Sequence, residues 1–407
     1  MTLSLKFALL IGLCPSLAIA AGFPKFEAQE IDKHVGNVCY AVTTADVNGD
    51  KKPDVVAVAE DAVYWYENPT WTKHTIIKNA TERDNVCIQA HDIDGDGQID
   101  FALGASWQPA NTKSGGTLQW LTRTGAKQGE WRVISIASEP TLHRIRWGDL
   151  LGTGKKQLIV APLQGRDTKG PNWNEGKGVR LLAFEIPADP FKDQWPSTLI
   201  DDRLHTTHNL QIFDFNKDGK DDLVVAGWEG VFLYYRAQGK FVRTVLGQGN
   251  QTSKPFKGAS EVKVGTLRDG TKYVGTIEPW HGTQVVVYHF TGKGKTRIPE
   301  RQIIAEPLAW GHAVWCADLD GDGDEEMIIG QRDPNKGDTK PKGPGLFVFD
   351  PKPGSSPLAF DRHTIDDGGM ATEDAMAEDL DGDGRPDLIA GGRATHNVKI
   401  YWNKPSK

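Results

Sequence analysis

The sequence predicts an all-β protein, a β-propeller of seven blades, and three observations carry that expectation. An acidic nonapeptide with the spacing of a calcium loop recurs five times along the chain. Each copy lies between a short strand and an apolar, β-branched one, so the repeating unit is a small antiparallel sheet. The last unit lacks its fourth strand, and a spare strand stands at the other end of the sequence.

Taken in order, the spare strand comes first, at Phe26-Glu-Ala-Gln-Glu-Ile-Asp32, alternating like an outer strand. The acidic loops follow, with oxygen side chains at positions 1, 3, 5 and 9. They are Asp46, Asn48, Asp50 and Asp54; Asp92, Asp94, Asp96 and Asp100; Asp214, Asn216, Asp218 and Asp222; Asp318, Asp320, Asp322 and Glu326; and Asp379, Asp381, Asp383 and Asp387. A hard cation that takes six to eight oxygens suits this set, so Ca2+ is the expected ligand. Two further units, around Asp149-Leu-Leu-Gly-Thr-Gly154 and Thr266-Leu-Arg-Asp-Gly-Thr271, keep the turn without the acids, which brings the total to seven. We label the strands flanking each loop A and B. A third, C, follows, as at Ala62-Val-Tyr-Trp-Tyr66 or Val398-Lys-Ile-Tyr-Trp402. A fourth, D, alternates polar and apolar residues, as at Lys73-His-Thr-Ile-Ile77, which suits an outer strand with one wet face. The C strand ending at Trp402 has no D strand after it, so Phe26–Asp32 is expected to complete that sheet and leave no open edge.

Composition bounds the setting. Residues 1–20 read as a secretory signal, with Lys6 as the only charge, an apolar run from Phe7 to Leu13 and small residues at Ala18-Ile19-Ala20. Residues 21–407 are then one exported propeller, secreted or periplasmic, and no later stretch could span a membrane as a helix. Loss of Lys6 takes the formal charge from −7 to −8, and no basic face for nucleic acid is visible. Cys39, Cys87 and Cys316 remain, an odd number. A Cys39–Cys87 disulfide and buried thiols both stay open. The sequence does not set the oligomeric state.

The loops and the apolar strands behind them resemble the FG-GAP, or VCBS-type, repeats of calcium-binding seven-bladed propellers, over essentially the whole mature chain. The resemblance implies that the acidic loops share one face of the ring. The starts of the A strands and the B–C loops then share the other, around a central funnel. Aligned on the first loop acid, the residues six positions upstream are Tyr40, Val86, His143, His208, Ser260, His312 and Glu373. Three histidines and a glutamate in one register point to a metal site or to acid–base chemistry. The B–C loops add Trp107, Arg166, Trp228, Glu229, Trp280, His281, Arg332, Arg393 and His396. Arginines suit carboxylate or carbonyl oxygens, and tryptophans suit sugar faces.

Segments such as Glu278-Pro-Trp-His-Gly282, Gly311-His-Ala-Val-Trp-Cys316 and Gly391-Gly-Arg393 also look like the propeller part of the aldos-2-ulose dehydratases. That resemblance implies dehydration of keto-sugars such as 1,5-anhydrofructose, without the cupin-type domains of the fungal enzymes. The leading expectation is a lyase acting by β-elimination on a keto-sugar or a uronate-containing saccharide. His143, His208 and His312 would hold Zn2+ or Mn2+ or share base and acid duties. Glu373 would be a fourth ligand or an orienting group and His281 a spare proton donor. Arg332, with Arg166 and Arg393, would bind substrate oxygens beside Trp228, Glu229, Trp280 and His396. A non-catalytic propeller binding glycan or protein is the alternative. Glycoside hydrolysis is third, through acids such as Glu229, Glu261, Glu278, Glu373 and Asp374. No Gly-x-Ser-x-Gly, phosphate loop or His-Glu-x-x-His motif offers another chemistry.

Overall fold

The computed structural model describes residues 22–123, 130–171, 173–291 and 298–406; the expected signal segment, residues 1–20, lies outside them. The described strands form seven four-stranded antiparallel sheets, and no described residue is helical. Six sheets run A to D in chain order. The seventh holds Thr372–Glu378, Asp387–Gly392, Val398–Lys404 and, at its outer edge, Lys25–Asp32. Its closing register pairs Phe26 with Asn403 and Glu27 with Trp402, as the missing fourth strand predicts. Each A strand lies against the A strands of both neighbours, the last against the first, so the seven blades close into a ring.

Strand composition follows position in the blade. The B strands Asp54–Ala59, Asp100–Ala105 and Gln157–Pro162 are buried at every residue, because both faces meet adjacent blades. The D strands Thr72–Lys78 and Trp131–Ser138 mix exposed and covered residues, as outer strands do. Between blades a tyrosine–carboxylate–cation clamp recurs. Tyr66 donates to Asp32 (2.6 Å), Tyr234 to Asp201 (2.7 Å) and Tyr401 to Asp366 (2.8 Å). Lys73, Arg243 and Lys399 pair with the same three acids. Each clamp ties a C strand to the D strand of the preceding blade.

The acidic loops share one wrap. Position 4 has a left-handed backbone in all five, with φ of 75° at Gly49, 77° at Gly95, 61° at Lys217, 77° at Gly321 and 76° at Gly382. Glycine adopts this without a Cβ clash, which accounts for four of the five. The first aspartate accepts the backbone N–H five residues on, as from Gly97 to Asp92 (3.0 Å) and Gly384 to Asp379 (2.9 Å). The acid-poor loop keeps that bond, from Gly154 to Asp149 (2.7 Å). The ninth-position acid turns inward. Burial pushes Asp54, Asp100, Asp222 and Asp387 up to about 6, and Glu326 up to about 9. In three loops carboxylate oxygens converge closely enough for one cation: Asp92, Asp94 and Asp96; Asp318, Asp320 and Glu326; Asp379, Asp381 and Asp387. The other acid-poor loop sends Arg268 across to Asp322 and Asp324 of the next blade.

Cys39, Cys87 and Cys316 are free thiols. The Cys39 sulfur faces Gly391 of the last blade and that of Cys87 faces Gly104 of its own, which leaves no Cys39–Cys87 bridge.

Candidate functional site

The A strands begin at the ring's narrow centre, so residues in one register converge there. Tyr40, Val86, His143, His208, His312 and Glu373 line a single cavity of about 250 Å³, opposite the ends that carry the acidic loops. Ser260, the seventh residue of the register, is buried outside the lining, with its hydroxyl near the Ile277 carbonyl (3.4 Å). B–C loops and A-strand leads add Trp107, Trp280, His281, Trp310, Arg332 and Arg393.

Three imidazoles meet at the base. Ring nitrogens of His208, His281 and His312 all lie within 4.8 Å of one another, and the Nε2 atoms of His208 and His281 are 2.7 Å apart. Their outer nitrogens fix the tautomers of two of them. His208 Nδ1 sits 2.6 Å from Glu261 Oε1, and His312 Nδ1 donates to the Glu373 carbonyl (2.7 Å). Both rings therefore present an Nε2 lone pair inward. Burial pushes His208 down to about 4 despite Glu261, and pushes His281 well below the usual histidine range. Burial alone would raise Glu261, but His208 and Arg144 hold it well below the ordinary carboxylate range. Imidazoles oriented by a carboxylate and a carbonyl are a donor set that suits a divalent transition metal.

His281 takes the place in this cluster that the register alone assigns to His143. His143 is engaged at both nitrogens: Nδ1 donates to the His208 carbonyl (3.1 Å) and Nε2 accepts from Arg144 Nη1 (3.2 Å). It forms wall, with its ring 5.4 Å from Trp107 and 4.7 Å from His208. His281 reaches the centre from a loop, stacked on Trp280 at 3.9 Å with φ of 49°. Trp310 has φ of 56°. Such backbone costs about 1–3 kcal/mol for a residue with a side chain and collects at functional sites.

Glu373 stands beside the cluster, 4% exposed. Its Oε1 accepts from Arg393 Nη1 (2.6 Å) and lies 3.8 Å from His312 Nε2. Its Oε2 lies 4.0 Å from Arg332 Nη1 and accepts no hydrogen bond. Arg332 is held by Asp333 (3.3 Å) and sits 4.7 Å over the Trp310 ring. Burial lowers Arg332; for Arg393 burial pulls the same way but Glu373 outweighs it. The indole N–H groups of Trp107, Trp280 and Trp310 have no protein acceptor.

Four residues expected to bind substrate are engaged outside the funnel lining. Arg166 forms a two-point pair with Glu139 (3.0 and 2.7 Å). Glu229 accepts from the His205 backbone (3.1 Å) and ring (3.0 Å). Trp228 is buried behind the wall with Leu163 and Trp280. His396 donates to the Asn37 carbonyl (2.7 Å). Of the acids considered for glycoside hydrolysis, Glu278 is consumed by Arg301 and Tyr288 (2.7 Å each). Glu373 is the only carboxylate among the lining residues described. Trp310 was the residue that sequence reasoning missed. It stands two positions before His312, just outside the aligned register.

Comparison with known proteins agrees with this architecture. Residues 38–103 match the FG-GAP-like repeat, and residues 115–291 match the β-propeller domain of aldos-2-ulose dehydratase. The second match includes His143, His208 and His281 but stops before His312, Arg332 and Glu373. Aldos-2-ulose dehydratase of Phanerodontia chrysosporium is 27% identical over 236 residues, 53% of this chain and 25% of that protein. Cartilage acidic protein 1 of Xenopus tropicalis is 22% identical over 223 residues, 49% of this chain and 33% of that protein. The matched stretches are thus no more than a third of either relative's own length. The chain is a seven-bladed β-propeller with FG-GAP-like repeats, and it resembles the β-propeller domain of aldos-2-ulose dehydratase.

Proposed function

We propose that the protein is an exported carbohydrate lyase that removes water, or another β-oxygen substituent, next to a sugar carbonyl in the central funnel. The observation that carries this is the meeting of His208, His281 and His312 beside an unpartnered Glu373 oxygen, under a wall of tryptophans. The three histidines would hold the metal, and three imidazoles suit Zn2+ better than Mn2+. A bound divalent ion with an open position polarises a carbonyl and raises the acidity of the α-proton.

The chain's own groups supply the rest. Glu373 Oε2 takes the α-proton. Arg332, 4.0 Å from that oxygen, offsets negative charge developing on the substrate. The C–H electrons form the new double bond as the β-carbon–oxygen bond breaks. The proton on Glu373 passes to the departing oxygen, which leaves as water. Trp107, Trp280 and Trp310 offer ring faces and free indole donors to a sugar. The volume of about 250 Å³ is below the roughly 300–1,000 Å³ of sites for drug-sized ligands. One sugar ring fits that space better than a chain.

Incubation with 1,5-anhydrofructose, 3-keto-glycosides or uronate oligosaccharides should give an unsaturated product seen by ultraviolet absorbance. A chelator should abolish the signal and Zn2+ restore it. The aromatic wall also supports a second reading, a propeller that binds glycans without chemistry. Saturable sugar binding with no unsaturated product from metal-loaded protein would favour that reading and overturn the lyase.

A further inference from the structure

We infer that the axial channel beneath the funnel holds a small monovalent anion, chloride by size, between Arg144 and Arg146. A second cavity of about 150 Å³ lies there, lined by Thr43, Gln89, Arg144, Arg146, Trp315 and Asp374 among others. At about 30 Å³ per water molecule it takes one small anion and a few waters, not a sugar. Arg144 and Arg146 are two apart on the strand Leu142–Gly148, so both side chains leave the same face, toward the axis.

Neither arginine forms a direct ion pair among the described residues, although Asp374 acts on both through space. Arg144 Nη1 donates to the His143 carbonyl (3.1 Å) and to His143 Nε2 (3.2 Å), and Arg146 Nη1 donates to the Ile145 carbonyl (2.7 Å). Among the described residues no carboxylate oxygen lies within 4 Å of either guanidinium, although Arg144 is only 7% exposed. Asp374 of the channel and nearby Glu261 hydrogen-bond elsewhere. Asp374 accepts from the backbone of Val42 and Ala375 (3.1 Å each), and Glu261 serves His208 and Asn209. Lys263 is also buried, 5.3 Å over the Trp315 ring, with Nζ donating to the Val262 carbonyl (3.3 Å). Arg144, Arg146 and the buried Lys263 thus stand near two carboxylates whose hydrogen bonds go to other partners. An uncompensated buried charge is costly, and adjacent like charges add repulsion. Burial and neighbouring Arg146 press Lys263 down to about 7, a sign of the same excess. One anion would neutralise it and accept the idle N–H groups.

The site is independent of the lyase reading, but it touches the funnel. Arg144 lines both cavities and holds His143, so the anion would act on the funnel wall by positioning. Crystals of the whole protein soaked in bromide should show an anomalous peak between the two guanidinium groups. In solution, replacing gluconate by chloride at constant ionic strength should raise the melting temperature by several degrees. Arg146→Met should lose that rise, and Arg146→Lys should keep much of it. Water alone at the bromide-soaked position, or a chloride shift unchanged in Arg146→Met, overturns the site. Should Arg146→Met not fold, the bromide map of the unaltered protein still decides.

Discussion

Glu373 is where the funnel's charges meet: one oxygen is held by Arg393 and the other faces Arg332 with no hydrogen bond. Glu373→Gln keeps the shape and can still accept from Arg393, but it cannot take a proton. It should cut turnover by about a hundredfold or more, with metal content and melting temperature close to those of the parent; full activity would exclude the base role. His281→Ala should lose the metal, whereas His143→Phe should retain it, as read by metal analysis after dialysis. The reverse result would restore the ligand set built on His143. Glu261→Gln should weaken metal affinity about 10–100-fold, measured by competition with a coloured chelator, because it frees the ring of His208. At this scale the sequence was legible for six of the seven residues in the repeat's register: Tyr40, Val86, His143, His208, His312 and Glu373 share one cavity, and Ser260 does not. Loop residues had no such ruler. His281 and Arg166 are both B–C loop residues, yet one reaches the histidine cluster and the other is captured by Glu139. Loop backbone such as the positive φ of His281 decides between them.

Among the elements, strand order and the turn of the acidic loops could be read directly, because period-two alternation and the αL glycine each have one structural meaning. Cation occupancy could not, since the same loops close on their own backbone N–H groups. We propose that Ca2+ binds the five acid-rich loops, and the buried ninth acid gives a pH signature. A carboxyl raised in the folded state costs stability as pH climbs from its unfolded value, about 3.9 for Asp, through its folded one. For Asp54, Asp100, Asp222 and Asp387 that window ends near 6, and for Glu326 near 9. Bound Ca2+ removes the penalty. The gain in melting temperature on adding Ca2+ to chelated protein should therefore be larger at pH 8 than at pH 5. An equal gain, or none, would leave the loops as turns only. The interblade clamps offer a separate check. Tyr66→Phe strips a 2.6 Å donor from the buried side of Asp32 and should cost about 1–3 kcal/mol in denaturant unfolding.

For the whole molecule, the count of seven blades followed from five acidic loops and two acid-poor turns, and the site of closure from a missing strand at one end and a spare at the other. What the sequence could not supply was the meeting of side chains from separate blades, such as His208 with His281 and His312. Those contacts depend on how tightly the ring closes. Removal of residues 22–32 should leave Val398–Lys404 as a bare edge, lower the melting temperature sharply and promote concentration-dependent association, seen by light scattering. A truncated chain that melts like the parent would make the closing strand dispensable.

That closing pair also sets an order of events during folding. Each of the first six blades is made of neighbouring hairpins, which form from local contacts as soon as their strands exist. Glu27 and Trp402 are separated by nearly the whole chain, so their pairing carries the largest loop-closure entropy and comes last. Until then the strand Lys25–Asp32 must wait with its hydrogen-bonding groups free, an invitation to any other unfinished copy nearby. Its composition answers that hazard: Lys25, Glu27 and Glu30 face outward, a charged guard on the strand that waits longest for its partner.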